Sequence, residues 1–152
     1  MAIATLSTIL SAAAVVAGSP VVDAPVTVWT LLRLGNVAVP PAKPAAATLV
    51  LGKHHAVGGT VACNSVAGSR ITWVSSRSGR QGRFLQHPGE YMPSTLVLCR
   101  DAVTTSMGGT FWQKMRSARS WSATPDRLTV RFADGSTAVL VRAAASTPGS
   151  IR

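Results

Sequence analysis

Two cysteines are the residues most able to do chemistry in this sequence, and neither has the spacing of a metal site. Cys63 ends an apolar stretch over residues 56–63, and Cys99 ends another over residues 94–99. With no Cys-x-x-Cys pair and no further sulfur ligand, the pattern argues against zinc. A bond between the two would close a loop of about 37 residues and stabilise the fold by roughly 4 kcal/mol on the chain-entropy model. The alternative is two buried free thiols that pack as small apolar side chains, and only an oxidising compartment favours the disulfide.

Enzymatic chemistry has little support in the residue pattern. Cys63 with His54 or His55 could form a thiolate nucleophile, but burial at the end of an apolar stretch raises the pKa of a thiol and makes it inert. Adjacent histidines on a strand point to opposite faces, so His54 and His55 cannot share one metal ion. The acidic residues all fall in expected loops, linkers or turns, with no pair set for acid–base work: Asp23, Glu90, Asp101, Asp126 and Asp134. We therefore predict no enzymatic activity, no metal and no cofactor.

A cluster of arginines is the best candidate binding site. Arg77, Arg80 and Arg83 alternate with serine and glycine in residues 75–90, which have no apolar periodicity and are predicted to form a mobile loop. The chain carries 15 Lys and Arg against 5 Asp and Glu, a net charge of +10, which favours anionic partners. The cluster could contact anionic lipid headgroups, envelope polysaccharide or nucleic acid. The alternative is a solvated loop that keeps the protein soluble.

The N-terminus has the composition of an export signal. Residues 1–17 are small, apolar and without charged side chains, and they are short for a membrane span, which needs about 20 residues. Small residues at Val15 and Ala17 predict cleavage near Ala17. The lack of Lys or Arg before the apolar run leaves an uncleaved apolar helix as the alternative. The predicted organisation is a signal-like segment and linker over residues 1–24, a domain over 25–143 and a flexible tail over 144–152.

Many short strands and one helix must position these candidate residues. The helix is predicted over residues 101–119, where Met107, Phe111 and Met115 form one apolar stripe and Thr104 or Thr105 supplies the N-cap. Strands are predicted at residues 26–34, 48–51, 56–63, 70–74 and 91–99, with a turn over 64–68. The scattered aromatic residues are expected in the core rather than as base-stacking platforms: Trp29, Trp73, Phe84 and Trp112.

The last predicted unit is a hairpin over residues 127–141. Asp134 and Gly135 are expected to form a two-residue turn, which sets Val130 opposite Val139 and Leu128 opposite Val141. The fold class is therefore mainly β with one helix (α+β): an open or cracked small β-barrel of short antiparallel strands packed by one helix.

The two cysteine stretches resemble the hallmarks of META domains, the HslJ-like proteins. Gly59-x-x-x-Cys63-Asn64, followed by Gly68, is similar to the signature G-x-x-G-C-N…G of that family. The stretch from Thr95 to Cys99, with the serine before it, is similar to the second signature, S-T-x-M-x-C.

The resemblance extends to about residues 26–142, because an opening W-x-L, a helix after the second cysteine and a closing hairpin follow in the same order. Ala62 stands where the family usually has glycine, and Val97 where it has methionine. The resemblance implies a small exported β domain whose biochemical role is undefined. Its motif residues here would be Trp29, Gly59, Asn64, Gly68 and Thr95.

The first hypothesis is a non-enzymatic exported domain, periplasmic or secreted, which, as the resemblance implies, binds an envelope component or supports tolerance of envelope stress. Its partner would be an anionic lipid or polysaccharide, or another protein. The second hypothesis is a basic nucleic-acid-binding module that stays in the cytoplasm with its apolar N-terminus attached.

Overall fold

Short strands that alternate buried and exposed side chains form a single antiparallel sheet. The protein is described by a computed structural model over residues 26–90 and 92–143. The predicted signal segment, its cleavage site near Ala17 and the predicted tail lie outside these residues. The strands are β1 (Thr27–Leu34), β2 (Val37–Ala38), β3 (Ala47–Leu51), β4 (Ala56–Val61), β5 (Asn64–Ser75), β6 (Gln81–Gln86), β7 (Ala118–Ala123), β8 (Arg127–Phe132) and β9 (Thr137–Arg142).

The sheet closes into a barrel because its first long strand pairs with its last. The strand order is β2-β1-β3-β4-β5-β6-β7-β8-β9, and a further β1–β9 pairing completes a ring of eight strands, with β2 as an extra strand beside β1. Within the ring of eight strands, the shortest pairing is β6–β7, over three residues, against five for β5–β6. This architecture confirms the predicted fold class, a small antiparallel barrel with one helix.

Inward-pointing side chains of the strands and one face of the helix fill the barrel. Along β8, Leu128, Val130 and Phe132 are buried while Arg127 and Arg131 are exposed, which is the period-two pattern of a strand with one solvated face. The largest fully buried side chains are Phe111, Phe132, Leu49, Ile71, Met115, Leu128, Leu140 and Val130. The expectation that the scattered aromatic residues serve the core is confirmed for Trp29, Phe84 and Trp112, each 5% exposed.

The helix α1 (Ala102–Met115) packs against β3 and β4. Its cap is Asp101, not Thr104 or Thr105, because the Asp101 carboxylate accepts hydrogen bonds from the backbone N–H groups of Val103 and Thr104. The predicted apolar stripe is confirmed at Phe111 and Met115. The predicted extension to residue 119 is wrong, since β7 begins at Ala118 and contributes to the barrel. Within the described part of the chain, no helix is long and apolar enough to span a membrane.

The closing hairpin has a different register from the predicted one. Its loop contains three residues, 133–135, closed by a hydrogen bond from the Phe132 N–H to the Ser136 carbonyl at 2.9 Å. Gly135 adopts φ +82°, the left-handed conformation that such three-residue loops require. Leu128 therefore pairs with Leu140 and Val130 with Ala138, and the apolar residues still share one face.

Two other segments depart from the sequence predictions. The turn after β4 contains only Ala62 and Cys63, because Val61 pairs directly with Asn64, so residues 64–68 begin a strand rather than form the turn. Ala62 takes φ +48°, a left-handed conformation that glycine adopts at lower steric cost than alanine. Of the predicted strand over 91–99, residues 92–99 are described, and they form only an isolated bridge, Val66 to Ser94, so the strand prediction is wrong for these residues.

Candidate functional site

The two cysteines form a disulfide that joins the β4–β5 turn to the segment before the helix. Cys63 and Cys99 lie 36 positions apart and are bonded, with their Cα atoms 5.8 Å apart. No cysteine is free. Of the two alternatives that the sequence left open, the structure selects the disulfide, and it leaves no thiolate for nucleophilic chemistry in this oxidised form.

Asn64 provides a second, non-covalent link between the same two segments. Its side-chain amide donates to the Val97 carbonyl at 2.9 Å and accepts from the Val97 N–H at 2.6 Å and from the Thr95 hydroxyl at 3.1 Å. Thr95 in turn accepts from the N–H of Ser65 at 3.0 Å. Asn64 is only 9% exposed, and these hydrogen bonds satisfy both the oxygen and the nitrogen of its buried side-chain amide. The motif residues Asn64, Thr95 and both cysteines thus form one structural cluster that fixes the segment 95–99.

The three remaining motif residues lie on strands of the barrel wall. Gly59 lies on β4 with φ +156°, and a Cβ there would stand 2.0 Å from the Thr48 carbonyl oxygen and 2.9 Å from the Trp112 ring. Only glycine allows this close approach of strand and helix. Trp29 is on β1 with its ring in the barrel, and Gly68 is on β5 within an irregular part of the β4–β5 pairing.

The predicted arginine cluster does not form one surface. Residues 77–80 make the tip of the β5–β6 hairpin, and Arg83 lies on β6, so the prediction of a mobile loop over 75–90 is wrong at this strand. Arg80 lines a cleft at one end of the barrel, whereas Arg83 lines a shallow groove on the outer wall together with Arg131. Arg77 lines neither. The three remain exposed, but they serve different surfaces.

A cleft of about 550 Å³ opens at the end of the barrel opposite the helix. Its walls come from strand termini that meet at this end: the starts of β1 and β8, and the ends of β3, β7 and β9. The helix lies at the other end, where Trp112 donates to the Thr60 carbonyl and Gln86 donates to the Met115 carbonyl. We call the open end the barrel mouth. Its volume is within the range of small-molecule sites, which often occupy barrel mouths.

Three tryptophans form the floor of the barrel mouth: Trp29, Trp73 and Trp121. Trp73 and Trp121 stack edge to face with ring centroids 5.8 Å apart, and the Trp73 indole N–H donates to the Gly52 carbonyl at 3.0 Å. Trp121 is 5% exposed, and its indole nitrogen has no hydrogen-bond partner among the described residues. A buried donor of this kind is unusual in a folded protein.

The charged residues that line the barrel mouth are all cationic: Lys53, Arg80 and Arg142. The Arg142 guanidinium lies over the Trp29 ring, 5.6 Å from its centroid. Arg80 is held at the rim because its carbonyl accepts from the Ala123 N–H at 2.7 Å. Asp126, in the neighbouring β7–β8 turn, accepts from the Thr124 hydroxyl, which lowers the pKa of its carboxyl. The lining as a whole offers donors and positive charge over an aromatic floor.

Catalytic and metal-binding groups are not brought together in the described residues. His54 and His55 lie in a 3-10 turn at the mouth end of β4, whereas Cys63 follows the far end of that strand. Within residues 26–90 and 92–143, no three His, Cys, Asp or Glu side chains group closely enough to hold a metal ion. Asp101, Asp126 and Asp134 instead hydrogen-bond to nearby turn and helix-start residues.

Sequence reasoning missed Trp121 and the role of Arg142 in the barrel mouth. The sequence did not indicate a strand at Trp121, because apolar and polar residues do not alternate clearly along β7. Trp121 has a serine on each side, with an arginine before them and an alanine after. Arg142 lies at the last position of β9, where an exposed basic residue usually means only a solvated strand end. Neither position carried a signal until strand order placed both in the lining of the same cleft as Arg80.

Comparison with known proteins identifies a similar fold and no family. No family model matches the chain, and no curated protein matches it. The chain is similar in structure to a protein from Burkholderia xenovorans solved by NMR, with a TM-score of 0.54 and 17% sequence identity. The match covers 78% of this chain and 82% of the other. At this level of identity the similarity shows the fold alone, an antiparallel barrel shared by two otherwise divergent sequences.

Proposed function

We propose that this protein is an exported META/HslJ-like domain that binds an anionic envelope component in its barrel mouth. The observation that carries the proposal is the barrel mouth itself, a cleft of about 550 Å³ with a tryptophan floor and only cationic charged residues at its rim. A ligand with a ring or apolar part and one or more carboxylates or phosphates would match both features.

Residue chemistry favours a specific orientation for such a ligand. The anionic group would lie between Arg80 and Arg142, where guanidinium donors form paired hydrogen bonds with planar or tetrahedral oxyanions. The ring or apolar part would lie on Trp73, the partly exposed member of the aromatic floor. Because the site is built at strand ends, its donors are held by the barrel rather than by a flexible loop.

Export and family membership are supported by separate observations. The disulfide fits an oxidising compartment, since such bonds are rare where thiols are kept reduced. The residues that resemble the family signatures lie together in one cluster around Asn64, as motif residues with a shared structural role would. The apolar composition of residues 1–17 favours removal of a signal near Ala17.

Binding at the barrel mouth can be measured with anilinonaphthalene sulfonate, which combines aromatic rings with an anionic group. We expect saturable binding, and a loss of affinity of at least about tenfold in the double variant Arg80→Ser/Arg142→Ser, because two charged hydrogen-bond donors are removed. The matched control is Arg83→Ser/Arg131→Ser, which removes the same charge from the outer wall and should bind as the wild type does. Equal losses in both variants would show a general charge effect and contradict the site.

Competition with natural polymers separates the two function hypotheses. An oligogalacturonate, which is a carboxylated sugar chain, should displace the dye from the wild-type protein. Displacement by a single-stranded DNA oligonucleotide at lower concentrations than the oligogalacturonate would instead favour the nucleic-acid-binding module.

Export is tested by the mass of the protein purified from its native host under non-reducing conditions. We expect a mature N-terminus near Gly18 and a mass lower by two hydrogen atoms than that of the reduced chain. An intact Met1 in a cytoplasmic fraction would overturn the exported assignment while leaving the binding test valid.

A further inference from the structure

The two most exposed large apolar side chains of the described residues belong to one short stretch of chain at the end of the barrel that holds the helix. Leu96 is 95% exposed and Leu98 is 97% exposed, with Val97 between them at 60%. By comparison, the exposed leucines of the barrel wall, Leu32 and Leu85, are each 42% exposed. We call residues 96–98 the apolar tip. Two nearly fully solvated leucines in one short stretch call for a physical reason, because isolated exposed apolar residues are common and clustered ones are not.

The apolar tip is fixed rather than loose. Both the N–H and the carbonyl of Val97 are hydrogen-bonded to the buried Asn64 side chain, at 2.6 and 2.9 Å. The disulfide at Cys99 follows immediately, and the Thr95 N–H donates to the Ser65 carbonyl at 3.1 Å. These restraints hold the leucines out from the surface, so their exposure is imposed by the fold.

Two cationic residues lie beside the apolar tip. A cleft of about 590 Å³ beside it is lined by Lys43 and Arg100, both exposed. Asp101 is the acidic residue in this lining, and its carboxylate already accepts from the N–H groups of Val103 and Thr104. The tip therefore combines projecting apolar side chains with neighbouring positive charge, which is the composition of a segment that enters the interface of an anionic membrane.

The size of the apolar tip argues against a stable protein partner. Three aliphatic side chains present roughly 300 Å² of apolar surface at about 100 Å² each. A stable protein–protein interface buries about 800 Å² on each partner. Insertion of a few apolar side chains into lipid needs no matching partner surface, so the same small area is sufficient there.

We propose that the apolar tip is a membrane-docking element that inserts Leu96 and Leu98 between anionic lipids, with Lys43 and Arg100 at the headgroups. This inference is independent of the function proposed for the barrel mouth. The tip is bonded to the β4–β5 turn through the disulfide, and the mouth contains Gly52 and Lys53 of the β3–β4 turn, so the length of β4 separates the two sites. Docking through the tip directs the barrel mouth away from the lipid, where it stays open to a soluble ligand.

The test is co-sedimentation of the purified, oxidised protein with vesicles of phosphatidylglycerol and phosphatidylethanolamine. We expect the wild type to sediment with these vesicles and the variant Leu96→Ser/Leu98→Ser to lose at least about tenfold in partition coefficient, because two inserted leucines are removed. Since both side chains are almost fully exposed, this variant should keep the wild-type circular dichroism spectrum and thermal midpoint. The matched control is Leu32→Ser/Leu85→Ser, which makes the same change on the barrel wall and should bind as the wild type does.

Three results would overturn the proposal. The first is failure of the wild-type protein to bind these vesicles at low ionic strength, where attraction to anionic lipid is strongest. The second is vesicle binding that survives in Leu96→Ser/Leu98→Ser but is lost in Arg80→Ser/Arg142→Ser, which would assign the lipid contact to the barrel mouth. The third is a wild-type dimer in sedimentation velocity that dissociates in the tip variant, which would make the tip a contact between two copies of the chain.

Discussion

Gly59 shows at the scale of a single residue how the helix and the barrel come into contact. Its missing side chain leaves room for the Thr48 carbonyl on one side and the Trp112 ring on the other. Trp112 uses that approach to donate to the Thr60 carbonyl at 2.9 Å. One absent methyl group therefore permits both the strand geometry and the placement of a buried tryptophan.

The change Gly59→Ala is expected to destabilise the protein by about 3 kcal/mol, because the added Cβ would overlap backbone atoms that cannot move aside. The measurement is the free energy of unfolding from urea denaturation. Gly109→Ala is the control, since Gly109 lies in the same helix as Trp112 with open space around it. There the substitution should stabilise by about 1 kcal/mol through helix propensity. An unchanged stability of Gly59→Ala would show that the close approach has no energetic role.

At the scale of the elements, Asp101 determines where the helix begins. The Thr104 hydroxyl and the Thr104 backbone N–H both donate to its carboxylate, and this lowers the pKa of Asp101 below its ordinary value. The stabilisation is therefore fully present above the ordinary aspartate pKa of about 4, and it is lost as the pH falls through the lower, folded-state pKa.

The variant Asp101→Asn keeps a good capping residue but removes the charge, so its effect should depend on pH. We expect it to unfold at lower urea concentration than the wild type at neutral pH. The difference should shrink at about pH 3, below the ordinary aspartate pKa of about 4, because the stabilisation is lost as the pH falls through the lowered pKa of Asp101. A gap of the same size at both pH values would mean that the ionised carboxylate is not what stabilises the helix start.

At the scale of the whole molecule, two links join distant parts of the chain: one disulfide and one strand pairing. The β1–β9 pairing closes the barrel, and the disulfide ties the segment before the helix back to the β4–β5 turn. Both connect parts of the sequence that are far apart, but only the disulfide persists in the unfolded chain and restricts it there.

Replacing both cysteines with serine is expected to lower the free energy of unfolding by about 4 kcal/mol, because the cross-link spans 36 positions of the unfolded chain. Urea denaturation of the oxidised wild type and of Cys63→Ser/Cys99→Ser measures the difference. Reductant should shift the wild type toward the double variant and leave the double variant unchanged. A stability difference well below 1 kcal/mol would indicate that the Asn64 hydrogen bonds alone hold the segment.

The barrel and its helix could be predicted from the sequence, because alternating apolar residues and a helical stripe at Phe111 and Met115 are local signals. Local signals were also sufficient to single out Cys63, Cys99 and Arg80 as residues of interest. They failed where structure depends on a neighbour: β6 and β7 lack clear alternation, and their strand character comes from the strands beside them.

The sequence alone determined which elements could form and how apolar their buried faces would be, since both properties depend on residue type and short-range spacing. Only the tertiary structure decided which side chains share a site. It separated Arg80 from Arg83, placed Arg80, Arg142 and Trp121 in the lining of one cleft at the barrel mouth, and projected Leu96 and Leu98 from the opposite end. The physical reason is that strand order and register are set by ring closure, a property of the assembled barrel that no single stretch of the chain contains.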